Sequence, residues 1–464
     1  MKLQEGSALA AGDLDLTFGE DGVVQVNDPL RPEMLINFSV IAVDPAPDSG
    51  ARFYAGHPIS SENGGNEYVL CVVRLLENGQ LDSSFGEGGY VIVPTTEPGR
   101  NRSMWFFYDF IFGAPGEITC LGGTVANRPY GGNVVPMAVR LSSSGEIDRS
   151  FGANGLAIYD NIPMVKTKQS NEGVIRPDSD ELTPAVFPDR NEVGNGTISG
   201  GTLSARLEDG KILFLANISG VGTYQHNSSY LVRINSDGSL DETYGTDGLV
   251  LIKDPSVDPG IVDCWSCDID PRGGAAVVGR SGRLGFVGRY DTSGLLDRGF
   301  GESGVVHLRS NPGDEVSAKI VKTLEGGIDN GKMIIQATVL PNNEGPRSQY
   351  PLITKLLPNG ARDPDFNNGE PVIVDLRPLA YVVNSMMVDD GGRILIAGER
   401  MDFGTGVTAV CLSRFMPRGM PDAGFGSEGT RVYEGFIGLF IEAALQNRVN
   451  ILTLYSPSIS RLMG

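Results

Sequence analysis

Short apolar runs alternate with turns rich in glycine, proline, asparagine and aspartate along the whole chain. In the first unit these runs are Gly22–Val26, Phe38–Val43, Ala51–Gly56 and Tyr68–Leu75. A later unit repeats the scheme with runs at Val372–Val374, Ser385–Val388, Arg393–Ala397 and Ala409–Phe415. No long segment has the 3.6-residue period of an amphipathic helix. The pattern therefore predicts an all-β chain whose short strands are joined by tight turns.

One eight-residue motif separates the units. It opens with glycine, has aspartate at its fourth position, and ends with an aromatic residue followed by glycine or asparagine. Its seven copies lie at residues 12–19, 79–86, 145–152, 238–245, 294–301, 360–367 and 419–426. Most steps between copies are close to 60 residues, and one is 93 residues long. A period near 60 residues with four strands per unit is typical of a β-propeller blade with long loops.

The two ends of the chain predict how the ring closes. Only the second half of a repeat stands near the N-terminus, and only the first half stands near the C-terminus. Together they make one blade if Gly22–Val26 pairs beside Ser458–Leu462, which would remove an exposed sheet edge. The prediction is a seven-bladed β-propeller of four-stranded blades, forming a single domain over residues 1–464 with a tail at 1–10. A stacked solenoid is the alternative fold, although no capping units are evident.

Each motif also carries paired charges. A basic residue stands eight positions before the aspartate in the internal copies, at Arg74, Arg140, Arg233, Arg289, Lys355 and Arg414. The ring-closing pair would be Arg461 with Asp15. One interpretation of these basic residues is a ring of seven cations that lines a channel for an anionic ligand. We favour a repeated ion pair that braces the turn, because both charges recur in step, and we expect the aromatic to be a wedge between blades.

These copies resemble the delta-60 repeat of bacterial proteins, whose signature is Gly-x-Leu-Asp-x-x-Phe-Gly-x-x-Gly. The resemblance extends over the whole chain. Departures are local: Tyr244 replaces phenylalanine, Asn367 replaces glycine, and Arg362 and Pro421 replace leucine. The resemblance implies a β-propeller, but it implies no reaction and no catalytic residue.

Composition restricts the classes of partner. The net charge of −20 argues against a nucleic-acid partner, because phosphate binding needs a concentrated basic face. No apolar run approaches the length of a membrane span, and the first residues lack the apolar core of a signal peptide. Five scattered cysteines do not make a disulfide framework. We therefore expect a monomer in the cytoplasm, or one exported without a cleavable signal.

Motifs for catalysis or metal binding are weak. Cys264 and Cys267 form the only CxxC, and we expect them to point to opposite faces of a strand as buried cysteines. The three histidines are not near an obvious nucleophile, and the glycine-rich tips lack the ligand pattern of a calcium loop. No cofactor is indicated.

Two features are candidates for function. The inner strands carry polar and aromatic residues that either contact channel water or line a ligand pocket at a channel mouth: Trp105, Asp109, Arg206, Trp265, Asp268, Lys319 and Glu442. A polar insertion at about 161–200 is either a lid or docking arm, or a neutral loop. The leading hypothesis is a non-enzymatic binding protein built on a rigid disc. The alternative is a channel-mouth enzyme, such as a metal-assisted hydrolase or lactonase, that uses Asp109, Asp268 and Glu442.

Overall fold

The computed structural model describes most of the chain. The described residues are 10–45, 52–60, 68–93, 104–113, 116–126, 133–160, 162–169, 175–184, 204–218, 228–257, 260, 262–342, 348–376, 379–402, 407–433, 440–446, 450–455 and 457–464. Within these residues the chain forms strands, turns and short 3-10 segments.

Seven antiparallel sheets of four strands are the blades, and each is named here by its strands a to d. Blade 1 contains Val40–Val43, Phe53–Ser60, Tyr68–Leu75 and Tyr90–Val93, and blade 2 contains Met104–Phe112, Ile118–Ala126, Asn133–Leu141 and Leu156–Ile158. Blade 3 contains Ser204–Arg206, Ile212–Ile218, Ser228–Ile234 and Leu249–Leu251, and blade 4 contains Asp263–Ile269, Ala275–Ser281, Leu284–Tyr290 and Val305–Leu308. Blade 5 contains Glu315–Thr323, Met333–Leu340, Tyr350–Leu356 and Val372–Ile373, and blade 6 contains Ala380–Val388, Ile394–Asp402, Val407–Phe415 and Thr430–Tyr433. Blade 7 contains Phe440–Gln446, Asn450–Tyr455, Ser458–Leu462 and, from the other end of the chain, Val23–Gln25.

Strand a is the innermost strand of each blade, because the a strands of successive blades contact one another around the ring. Strand d is the outermost strand. The seven-bladed propeller predicted from the sequence is confirmed, and the solenoid is wrong because the last blade pairs with the first segment of the chain. The sequence misplaced some strand ends; for example, strand a of blade 1 begins at Val40 rather than at Phe38.

Ring closure follows the predicted pairing. Strand d of blade 7 runs antiparallel to strand c, with Val23 opposite Ser460 and Gln25 opposite Ser458. The amide of Asp15 donates to the carbonyl of Arg461 at 2.9 Å, which extends the contact beyond the strand. The blade therefore has no free edge where the two ends of the chain meet.

The predicted wedge is confirmed. The ring of Phe18 is fully buried and lies against Gly79, which opens the next motif. Gly79 has a φ of +86°, and a Cβ there would approach Val24 within 2.5 Å. Glycine is therefore required both by the backbone angle and by the close packing of one blade against the next. The same contact between an aromatic residue and the following glycine recurs at Phe85, Phe151, Tyr244, Phe366 and Phe425.

The predicted ion pairs form, including the pair across the two ends. The Nε of Arg461 lies 2.8 Å from Asp15, and the Nε of Arg74 lies 2.9 Å from Asp82. Each guanidinium also lies on the ring of its own motif aromatic, at 4.9 Å for Arg461 and 4.6 Å for Arg74. Burial alone would raise the pKa of Asp15, but hydrogen bonds from Thr17 and Arg461 outweigh burial and lower it.

These arginines also form hydrogen bonds to the neighbouring blade. Arg74 Nη1 donates to the carbonyl of Ser143, which belongs to the next blade. Arg140, Arg233, Arg289 and Arg461 make the equivalent bond to the following turn. The repeated pair is therefore also a link between neighbouring blades. Since these cations are buried against their own aspartates, they are not a free ring for an anionic ligand.

Blade 5 departs from this scheme because its motif has Lys355 in place of arginine. Lys355 Nζ lies 3.9 Å from Asp363 and instead pairs with Asp329 at 2.8 Å. Lys332 takes over Asp363 at 2.9 Å and also contacts Asp329 at 2.9 Å. Two lysines and two aspartates thus replace the single arginine–aspartate pair at this position.

The core lies between blades rather than in one centre. Between blades 7 and 1, for example, buried Leu452 and Ile459 pack with Ile41 and Phe53 in one cluster. The d-to-a connection between blades 2 and 3 forms a hairpin of Pro163–Gln169 with Ile175–Pro184. Residues 161, 170–174 and 185–200 of the predicted insertion lie outside the described residues.

Candidate functional site

A cavity of about 1100 Å³ opens at one end of the central channel. The turns between strands a and b of four successive blades, 3 to 6, frame it. Ends of a strands form its floor, including Arg206, Asp268 and Thr323. We call this space the channel-mouth cavity.

Aspartates shape three of the four framing turns. Asp209, Asp270 and Asp389 each accept a hydrogen bond from the amide two residues later, at 2.9–3.1 Å. A side chain that caps its own turn in this way fixes the loop conformation. The acidic residues at these positions are therefore explained in part by turn geometry.

The lining is strongly polar and acidic. Eight of the lining residues are aspartate or glutamate and four are arginine or lysine, among the residues that the structure describes. Glu208 and Glu325 are exposed at the rim. No tryptophan, tyrosine or phenylalanine lies among the described residues of the lining, so this cavity does not have the aromatic walls that the sequence suggested for a ligand pocket.

Two predicted site carboxylates join neighbouring blades. Asp268 is 6% exposed and accepts the amide of Thr323 at 2.7 Å, with Lys322 Nζ at 3.2 Å. Glu442 accepts the amide of Ile41 at 3.1 Å, between blades 7 and 1. Ser385 plays the same part between blades 6 and 7 by accepting the amide of Ala443. Polar residues in the inner strands therefore satisfy backbone donors of the adjacent blade, a role that neither interpretation of the sequence foresaw.

Trp265 and Lys319 form a pair in the inner strands of blades 4 and 5. Each occupies a β-bulge, which adds a residue to the strand and redirects its side chain. Lys319 Nζ lies 3.4 Å from the centre of the Trp265 ring. Burial lowers the pKa of Lys319 to about 7, and the nearby Arg280 contributes in the same direction. The side chain of Arg280 pairs with Glu315 and, at 3.5 Å, with Asp263.

The remaining predicted residues are dispersed. Arg206 lines the cavity and pairs with Glu117 of blade 2 at 3.3 Å. Asp109 lies in strand a of blade 2 and accepts the amide of Phe110 at 2.9 Å. Trp105 belongs to the same strand, but its side chain lies outside the described residues. The structure thus brings Arg206 and Asp268 to one cavity and does not gather the whole predicted set.

The CxxC prediction is partly wrong. Cys264 and Cys267 are buried thiols, as expected, and burial raises the pKa of both. However, the bulge at Trp265 resets the strand alternation, and both sulfurs pack in the same apolar cluster. Among the described residues, no three His, Cys, Asp or Glu side chains are grouped to hold a metal ion. Asp109, Asp268 and Glu442 therefore do not form one carboxylate cluster.

Sequence reasoning missed the framing turns as functional candidates. Their signal was present in the chain, because Asp270–Gly274 and Asp389–Gly392 share an aspartate followed by paired glycines. We interpreted such segments only as turns. In the described part of the chain, no helix is long and apolar enough to cross a membrane.

One family model matches part of the chain. It is described as "Domain of unknown function (DUF5122) beta-propeller", and it matches residues 60–85 and 207–244. These segments include all but the last residue of the motif copies at 79–86 and 238–245. No curated protein sequence matches the chain.

Several solved structures resemble the fold. A levansucrase variant from B. megaterium is 9% identical with a TM-score of 0.34, and the alignment covers 93% of both chains. A GH74 xyloglucanase from Xanthomonas campestris is 10% identical with a TM-score of 0.42, covering 91% of this chain and 51% of that one. Drosophila Semaphorin 2a is 8% identical with a TM-score of 0.43, covering 99% and 77%. At such identities and TM-scores these likenesses assign no activity to the chain.

Proposed function

We propose that this protein is a non-enzymatic binding protein, built from repeats of the delta-60 type, whose ligand or partner segment enters the channel-mouth cavity. The observation that carries the proposal is the cavity itself, which turns of four blades frame, three of them capped by aspartate. Binding sites are commonly concave and supported by rigid elements. The linked blades supply that rigidity.

The enzymatic alternative has less support. A metal-assisted hydrolase would need carboxylates converging on an ion. Here Asp268 and Glu442 instead accept backbone amides of adjacent blades, on opposite sides of the ring. Both carboxylates have structural roles that account for their presence.

A plug in the cavity tests the proposal. Gly391 lines the cavity, is exposed, and has no positive φ, so Gly391→Trp should fill space without backbone strain. Thermal-shift screening of peptides and small molecules should find a ligand that raises the melting temperature of the wild type. The same ligand should raise the melting temperature of Gly391→Trp much less. Mass spectrometry should recover the ligand chemically unchanged.

The chain offers a closely matched control. Gly424 is also exposed, and its amide also donates to an aspartate two residues earlier at 2.9 Å. A Cβ at either glycine would meet that aspartate oxygen at 3.3 Å. Gly424→Trp should bind like the wild type. Unchanged binding by Gly391→Trp would contradict the proposed site, and conversion of the ligand would favour an enzyme.

A further inference from the structure

We infer that the occupant of the channel-mouth cavity is a basic peptide segment that carries apolar side chains. This inference rests on the proposed function. The charge of the cavity lining and the exposed apolar residues at its rim support a ligand of this kind.

The excess of acidic residues in the cavity lining favours a positively charged ligand. Acidic residues outnumber basic ones by two to one in the described lining. Asp209, Asp270 and Asp389 cap turns. Asp268 and Asp329 pair with lysines. In the part of the chain that the structure describes, Glu208 and Glu325 have neither role. Both glutamates are exposed, and within the described residues neither has an ion-pair partner. A guanidinium or ammonium group would complement them, whereas phosphates of a nucleic acid would be repelled.

Apolar residues stand at the same end of the channel. Ile328 lines the cavity and is 89% exposed. Met416 and Met420, 41% and 61% exposed, flank the lining residue Pro417 in their turn. Exposed apolar side chains grouped in this way are typical of protein contact sites. Methionine adapts its shape to varied partners.

The combination distinguishes a peptide from other ligands. A carbohydrate would be expected to stack on aromatic rings, and none is present in the described lining. A free polyamine would pair with the glutamates but would leave Ile328 and the methionines uncovered. A peptide of mixed basic and apolar character would contact both surfaces.

The test measures binding of a fluorescein-labelled decapeptide of alternating lysine and leucine by fluorescence anisotropy. Glu208→Gln/Glu325→Gln should weaken binding about three- to tenfold, because each exposed charge pair contributes only modestly to affinity. Ile328→Ser should weaken it further. The matched control Glu20→Gln/Glu33→Gln removes two exposed charges outside the cavity lining and should bind like the wild type.

Three outcomes would overturn the inference. The first is unchanged peptide affinity in the Glu208/Glu325 variant, and the second is equal binding of a peptide with glutamate in place of lysine. The third is spermine binding that is as tight as peptide binding and is not changed by Ile328→Ser. The proposed function would fail separately. If the lysine–leucine peptide does not bind but another ligand is lost in Gly391→Trp, only the peptide assignment is wrong.

Discussion

At the scale of single residues, Lys319 places an amine on the face of Trp265 in a partly buried setting beside Arg280. The ring face attracts a cation, while burial and the neighbouring guanidinium oppose one. Burial is the larger effect, since the pKa falls to about 7 from 10.5. The folded protein therefore binds this proton more weakly than the unfolded chain does.

We expect Lys319→Met to raise the melting temperature at pH 7 and below by about 1–2 °C. Below the folded pKa both states are charged, so the folded state bears the full desolvation cost. Between pH 7 and about 10.5 the unfolded chain binds the proton and the folded protein does not, so wild-type stability rises with pH. The advantage of the variant should therefore shrink towards pH 10.

Calorimetry at pH 6, 8 and 10 checks this expectation. Lys253→Met, at an exposed position, should show no such trend. An advantage for Lys319→Met that is constant with pH would indicate a packing effect instead.

At the scale of the element, the blade 5 turn shows how a substitution in the motif is compensated. Lys332, which lies outside the motif, takes over the partner that Lys355 does not reach. Asp329 bridges the two lysines, and both lysine side chains are buried.

Lys332→Met should reduce the free energy of unfolding by roughly 3 kcal/mol, because removing one partner of a buried ion pair leaves the other charge uncompensated. Urea denaturation measures this loss. Lys253→Met is the control, because Lys253 is exposed and has no buried carboxylate as its ion-pair partner among the described residues. If the two variants lose equal stability, the network does not replace the motif arginine.

Individual structural elements show which features the sequence could predict and which it could not. The Arg461–Asp15 pair and the wedge at Phe18 were predictable, because both recur in step around the chain. The bulges at Trp265 and Lys319 were not, because a bulge is one extra residue that leaves no mark on the local composition. Without the bulge, Cys264 and Cys267 are assigned to opposite faces of the strand.

The cavity also depends on turns that meet only in the closed ring. The sequence could therefore propose Arg206 and Asp268 as site residues but could not predict that they line the same cavity.

At the scale of the whole molecule, the ring is held by links that recur at most blade junctions. The aromatic wedge, the turn glycine and the arginine each contact the following blade. Within the closing blade the Arg461–Asp15 pair joins residues 446 positions apart.

Asp15→Ala should lower the free energy of unfolding by roughly 3 kcal/mol, since it leaves the buried Arg461 without its carboxylate. Chemical denaturation gives the value. The exposed Glu20→Ala is the control and should change stability little. Stability equal to that of the wild type in Asp15→Ala would show that strand pairing alone closes the ring.

Closure of blade 7 by Val23–Gln25 also bears on the order in which the protein is made. Strand d of that blade leaves the ribosome well before its partner, because Gln25 and Ser458 are 433 positions apart in the sequence. At about 5–20 residues per second, the early strand waits about 20–90 s for its partner. Throughout that time its backbone is an unpaired edge, available to another nascent chain. The most vulnerable moment of this propeller is therefore the interval before Ser458–Leu462 is synthesised.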